Sequence, residues 1–185
     1  MSRYFLVLAV LGGSLLVADT ALGFVAAAEI PGPHAVGRAV HLLFSLLTVV
    51  VLLGIHSIVY TYFMATGKWA KEVIRVYGLP DWFLAQAKRN KRRAFRFVLG
   101  SMTAIAVAAW LGGAADTLGT TYAPWHLAAA AMAVAFNLGS FVVEYAAIVG
   151  HARLLAELKG EADRLRAERY GPSMDSGQVS LAGGQ

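Results

Sequence analysis

Five histidines and a handful of carboxylates carry most of the ionisable chemistry open to the apolar part of this chain. The last apolar stretch holds His126, Asn137, Glu144 and His151. On a helix that advances about 100° per residue, these four return to within roughly 20° of one direction. They line one narrow stripe, with Ser140 close beside it. An earlier stretch holds His41, Ser45, Thr48 and His56, spread over a sector of about 80°. This too is one helix face. An imidazole titrates near neutrality and ligates metals, so such faces can hold a metal, share a proton with a carboxylate, or hydrogen-bond helix to helix.

The elements that must position these residues are apolar helices. The chain has 185 residues, 58% hydrophobic and 15% charged, with a mean hydropathy of +0.59. That is too apolar for an ordinary soluble domain and fits one small domain dissolved in lipid. The predicted fold class is all-α, an integral membrane bundle of four transmembrane helices. The spans are expected at about 4–28, 37–64, 97–113 and 125–150, each close to the length a bilayer requires. Ala26-Ala27-Ala28 before Glu29 also allows a cleaved signal peptide, but the first run is long enough to be a retained helix. Pro31-Gly32-Pro33 breaks the chain after it. Residues 65–96 read as a polar connection divided by Gly78-Leu79-Pro80, with Asp81 capping a short helix to Arg93. Residues 151–170 continue the fourth helix with Leu154, Leu155, Leu158, Ala162 and Leu165 on one side, and 171–185 form a flexible tail.

Charge sets the expected orientation. Lys68, Lys71, Arg75, Lys88, Arg89, Lys91, Arg92, Arg93 and Arg96 lie in the central connection, and five more basic residues lie in 151–170. The two opposite connections hold Arg38 alone. The positive-inside rule then predicts both termini in the cytoplasm, in a bacterial inner membrane. Basic residues that flank apolar spans point to lipid and not to nucleic acid. The chain has no cysteine, which removes disulfides, thiolate metal sites and thiol catalysis.

His41 follows Arg38 by three residues and His126 follows Pro124 by two, so both are expected near the outer surface. In this architecture the chain resembles the four-helix membrane cytochromes b, whose second and fourth helices supply heme ligands. The resemblance implies an electron-transfer function and heme b, one group near the outer face and possibly a second. It makes His41 and His126 the candidate axial ligands to heme iron, with His56 as a further candidate; His34 and His151 are lesser metal candidates. His41 and His56 stand fifteen apart, a tolerable match to the family's spacing, whereas His126 and His151 stand twenty-five apart and depart from it. The residue expected level with His56 is Glu144.

Several functions stay open on this reading. A heme-binding membrane redox protein is one. A cofactor-free membrane subunit or assembly factor of a larger membrane complex is another. Proton or ion conduction through His56 and Glu144 is the third, with Glu144, Asn137 and Asp19 as proton-relay or supporting residues. Purely structural use of the stripes stands beside all three, aided by a small-residue row, Ala131, Ala135 and Gly139. The expected partners are the lipid bilayer and other membrane or redox subunits or a homo-oligomer. No nucleophile–base constellation, phosphate loop or HExxH motif occurs, so an electron-transfer protein or subunit is favoured over a free-standing enzyme.

Overall fold

Glycine and proline punctuate the chain into long helices. In the computed structural model, which describes residues 1–28 and 35–171, these are α1 (Ser2–Ala28), α2 (Ala35–Tyr77), α3 (Trp82–Thr117) and α4 (Ala123–Tyr170). A short 3-10 turn, Thr120–Tyr122, leads into α4. All four helices are long and apolar enough to cross a membrane. The Pro31-Gly32-Pro33 break, His34 and the expected flexible tail beyond residue 171 lie outside the described residues.

The end of α2 shows how local chemistry sets a boundary. Gly78 takes φ 63°, and the Leu79 amide donates to the Ile74 carbonyl at 3.0 Å. This is a Schellman cap, which needs a residue without a Cβ at the left-handed position. Leu79 and Ile74 then bury against each other in one apolar cluster, and Pro80 bars any continuation. Gly119, at φ 113°, makes the turn after α3, and Pro124 sits in the first turn of α4, where a missing amide costs nothing.

Three expectations are corrected here. The break at Gly78-Leu79-Pro80 falls where the sequence puts it, but the helix after it does not stop at Arg93: α2 runs on to Tyr77 and α3 is one helix from Trp82 through the expected boundary at 97. No glycine or proline interrupts 82–99, and Lys, Arg, Ala and Leu sustain a helix in water as readily as in lipid. Asp81 does not cap α3 through its side chain; it is already helical, and its carbonyl accepts from the Ala85 amide. The row Ala131, Ala135 and Gly139 faces outward instead of forming a helix seam. The adjacent face, with Ala133, Asn137 and Ser140, is the buried one.

In the packed bundle α1 contacts α2 and α4, α3 contacts the same two, and α2 meets α4 across the middle. The main core joins Phe5, Leu52, Val59, Phe63, Val98 and Ile148, among others. Gly12 lets α1 approach closely: a Cβ there would stand 3.0 Å from Leu52 and Ile55 and 3.1 Å from Phe141. That pairing, read down the antiparallel helices, puts the start of α1 level with about residue 60 of α2. Beyond that level α2, α3 and α4 continue as a three-helix extension with its own core of Ala70, Ile74, Phe83, Ala87, Leu154 and Leu158. This end carries the basic residues and is termed the basic end. Around the four-helix part the surface is strongly apolar, with Leu43 68% and Val142 71% exposed, as an integral membrane protein requires.

Leu158 is 1% exposed in the extension core. Leu158→Ala is expected to destabilise the extension by roughly 2–4 kcal/mol. Hydrogen exchange should quicken in 70–77 and 82–90 while amides beside Leu52 keep their protection; uniform acceleration would show one undivided core.

Candidate functional site

His56 occupies the middle of the bundle, with none of its surface exposed. Its two ring nitrogens are both engaged by α4. Nδ1 lies 3.0 Å from Glu144 Oε1, and Nε2 lies 2.9 Å from Asn137 Oδ1. Asn137 and Glu144 stand one turn above and one turn below the level of His56, and Phe141 between them stacks on the imidazole at 5.5 Å. The helical period produces this clasp, since residues 137, 141 and 144 of α4 share a face.

The hydrogens can be assigned from the partners. Asn137 Nδ2 donates to the Ala133 carbonyl at 2.7 Å, which leaves Oδ1 to accept. His56 Nε2 must therefore carry a hydrogen. Between Nδ1 and the Glu144 carboxyl there is then one proton to place. Either Glu144 donates it to a neutral imidazole, or an imidazolium donates it to the carboxylate. The pair is neutral overall in both cases, the arrangement that a low-polarity interior favours over any net charge. Glu144 Oε2 is buried and has no partner among the described residues.

A second polar tier lies further toward the basic end. His151 is also fully buried, and its Nε2 is 2.9 Å from Thr66 Oγ1. The Thr66 hydroxyl donates to the Tyr62 carbonyl at 2.6 Å, so its oxygen accepts from His151 Nε2–H. The His151 ring rests against Phe63 and Tyr62, and its Nδ1 has no partner among the described residues. Glu144 and His151 are seven apart on one face of α4, about 10 Å along the axis. Apolar Val59, Phe63, Ala147 and Ile148 fill the core around the interval.

A third tier lies at the opposite end. Ser45 donates to Asp19 Oδ1 at 2.6 Å, and His41 Nδ1 lies 3.3 Å from the same oxygen and from Ser45 Oγ. The His41 ring lies over Gly23 of α1, where a Cβ would stand 3.1 Å from Cε1. His126 turns the other way. Its Nδ1–H donates to the Ala108 carbonyl at 3.0 Å, and its ring lies over Gly112 of α3, where a Cβ would stand 2.9 Å from Cε1. Thr66 and His151 are paired at an offset of 85 residues, and the same offset makes His41 level with His126. The two rings are nonetheless in different seams, α1–α2 and α3–α4. Among the described residues no group of three or more His, Cys, Asp or Glu is placed to hold a metal ion.

Comparison with protein-family models, curated proteins and solved structures finds no match. The reading of this site therefore rests on its residues.

Sequence periodicity puts Asn137 and Glu144 on one face of the fourth helix and depth puts Glu144 level with His56; the structure places both against His56. It also brings Asp19 to His41. It does not join His41 to His126, and His151 reaches Thr66. Thr66, Phe141 and Gly23 are not singled out by sequence, and Gly112 stands out only as part of a Gly-Gly pair. Thr66 extends the polar face of α2 and could have been found there, whereas the glycines reveal their use only once an imidazole lies over them.

Breaking the clasp on one side strands the other partner. Glu144→Leu is expected to cost about 3 kcal/mol or more, since His56 Nδ1 loses its partner in a dry core. The double variant His56→Leu/Glu144→Leu should recover most of that loss in thermal unfolding in detergent. Additive losses would mean that the pair is not coupled.

Proposed function

We propose that the chain crosses the bilayer four times with its basic end in the cytoplasm, and that it is a proton-handling membrane protein. Its centre is the His56–Glu144 pair, which binds a proton within the membrane and releases it when the helices move. The observation that carries this reading is the buried 3.0 Å contact between His56 Nδ1 and Glu144 Oε1, together with the second Glu144 oxygen, which no described residue satisfies. An exchange site needs one oxygen free for an incoming proton.

The polar tiers along α2 support the same reading. His41 with Asp19, His56 with Glu144, and Thr66 with His151 follow one another toward the cytoplasm. His41 and His56 stand about 22 Å apart along the axis and Glu144 and His151 about 10 Å, too long for direct transfer between neighbours. The protein is thus not an open channel; proton movement waits on water entry or on a shift of α2 against α4. Asn137 acts as a positioning residue, since its carbonyl oxygen keeps the Nε2 hydrogen in place and directs Nδ1 at Glu144.

Glu144→Gln keeps the shape and a hydrogen bond to His56 while removing the titrating carboxyl. Proton flux into liposomes containing the variant, read by an internal pH-sensitive dye, is expected to fall about tenfold or more. Flux equal to that of the unaltered chain would reject the proposal.

A heme-binding electron-transfer protein is the second reading, and one observation favours it. His41 and His126 are level, and each engages its Nδ1 with a protein acceptor, as iron-ligating histidines do, leaving Nε2 available. Both rings must first turn out of their glycine-floored seams to face each other. The bound group would supply one-electron transfer. A Soret band and stoichiometric iron in protein purified from heme-replete membranes are the expected results on this reading, and a colourless, iron-free preparation removes it.

A further inference from the structure

The outward face of α3 carries two features in line, and neither is used by the tiers above. Lys88, Arg89, Arg92, Arg93 and Arg96 all project within an arc of about 140°, opposite the buried Ala87, Ala94 and Val98. All five are exposed, and no carboxylate pairs with any of them among the described residues. Four of the acids at this end are committed elsewhere: Glu72 to Arg75, Asp163 to Lys159, and Glu161 and Glu168 to Arg164; Asp81, two turns before Lys88, and Glu157 of α4 pair with no cation among the described residues. Past Arg96 the same face becomes apolar except for Thr103. It continues through Leu99, 53% exposed, and Val107, 44% exposed, to Trp110, 68% exposed. Trp110 stands about 21 Å beyond Arg96 along the axis.

We infer that this face of α3 is a binding site for anionic phospholipid, with the headgroup phosphate held by Arg89, Arg92, Arg93 and Arg96 and the acyl chains laid along Leu99 and Val107 toward Trp110. Positive-inside topology requires cations at this end but not their alignment with an exposed apolar strip. Guanidinium groups match phosphate oxygens in pairs, and each cation beside an anionic headgroup adds to the attraction. The collinear apolar strip is what selects a lipid over free phosphate, which would be served by the charges alone. The site rests on the membrane placement proposed above and is independent of the proton-handling reading.

The test uses the full chain in bilayers of mixed phosphatidylcholine and phosphatidylglycerol, extracted mildly and weighed with its retained lipid by native mass spectrometry. Phosphatidylglycerol should be enriched about tenfold or more over its share. Arg89→Gln/Arg92→Gln/Arg93→Gln should abolish the enrichment, and Arg89→Lys/Arg92→Lys/Arg93→Lys should retain most of it. Arg153→Gln/Arg166→Gln/Arg169→Gln, which removes equal charge from α4, should leave it intact. Single Arg92→Gln and Arg93→Gln variants, less demanding on insertion, should each lower it in part. Equal loss in the α4 control, undiminished enrichment in the α3 Gln variants, or displacement of the lipid by inorganic phosphate would overturn the site. Recovery of the chain outside the bilayer in either lipid would overturn the membrane placement and the site with it.

Discussion

The structure depends on a single clasp: one imidazole held at both nitrogens by side chains of the opposite helix. His56 cannot slide along α4, because a shift of one turn either way strands Nδ1 or Nε2 in a core without water. Apolar packing alone allows many registers between two Leu- and Ala-rich helices, since one methyl group substitutes well for another. The clasp allows one. The offset it imposes between α2 and α4 is repeated at Thr66 and His151, and it brings His41 level with His126. α1 and α3 then fit around an axis already decided, helped by Gly12 against Leu52 and by the Ser101–Ser140 hydroxyl pair at 2.8 Å.

The same clasp ties protonation to helix position. A neutral pair is comfortable in the core, while either loss or gain of a proton leaves net charge there. A change of protonation at Glu144 therefore presses on the α2–α4 contact, and a shift of that contact changes the proton's hold. This reciprocity is what a gated proton site needs. α2, α3 and α4 each run unbroken from the four-helix core into the packed three-helix extension at the basic end. His151 sits at the junction of the two cores.

Much of this architecture was legible in the sequence. Four long apolar runs, their punctuation by Gly and Pro, and the uneven distribution of charge follow from local composition, because a helix in an apolar solvent must satisfy its own backbone. That Asn137 and Glu144 share a face of α4 was legible too, since helical period is a property of one chain segment at a time, and depth counted from the helix ends put Glu144 level with His56. That the helices of 65–96 are continuous with the apolar spans on either side was not. Polar composition marks departure from the apolar part, but a charged run of good helix formers can leave it without unwinding.

The sequence by itself determined which residues share a helix face and how far apart they stand along it. Only the tertiary structure decided which face meets which. His41 and His126 have the same type and the same level, yet one ring lies over Gly23 and the other over Gly112, in seams on different sides of the bundle. The rotation of each helix about its axis is set by the sum of all its contacts, including glycines that make room for an imidazole on a neighbouring helix. Those contacts join residues far apart in the chain, so no period read along one segment contains them.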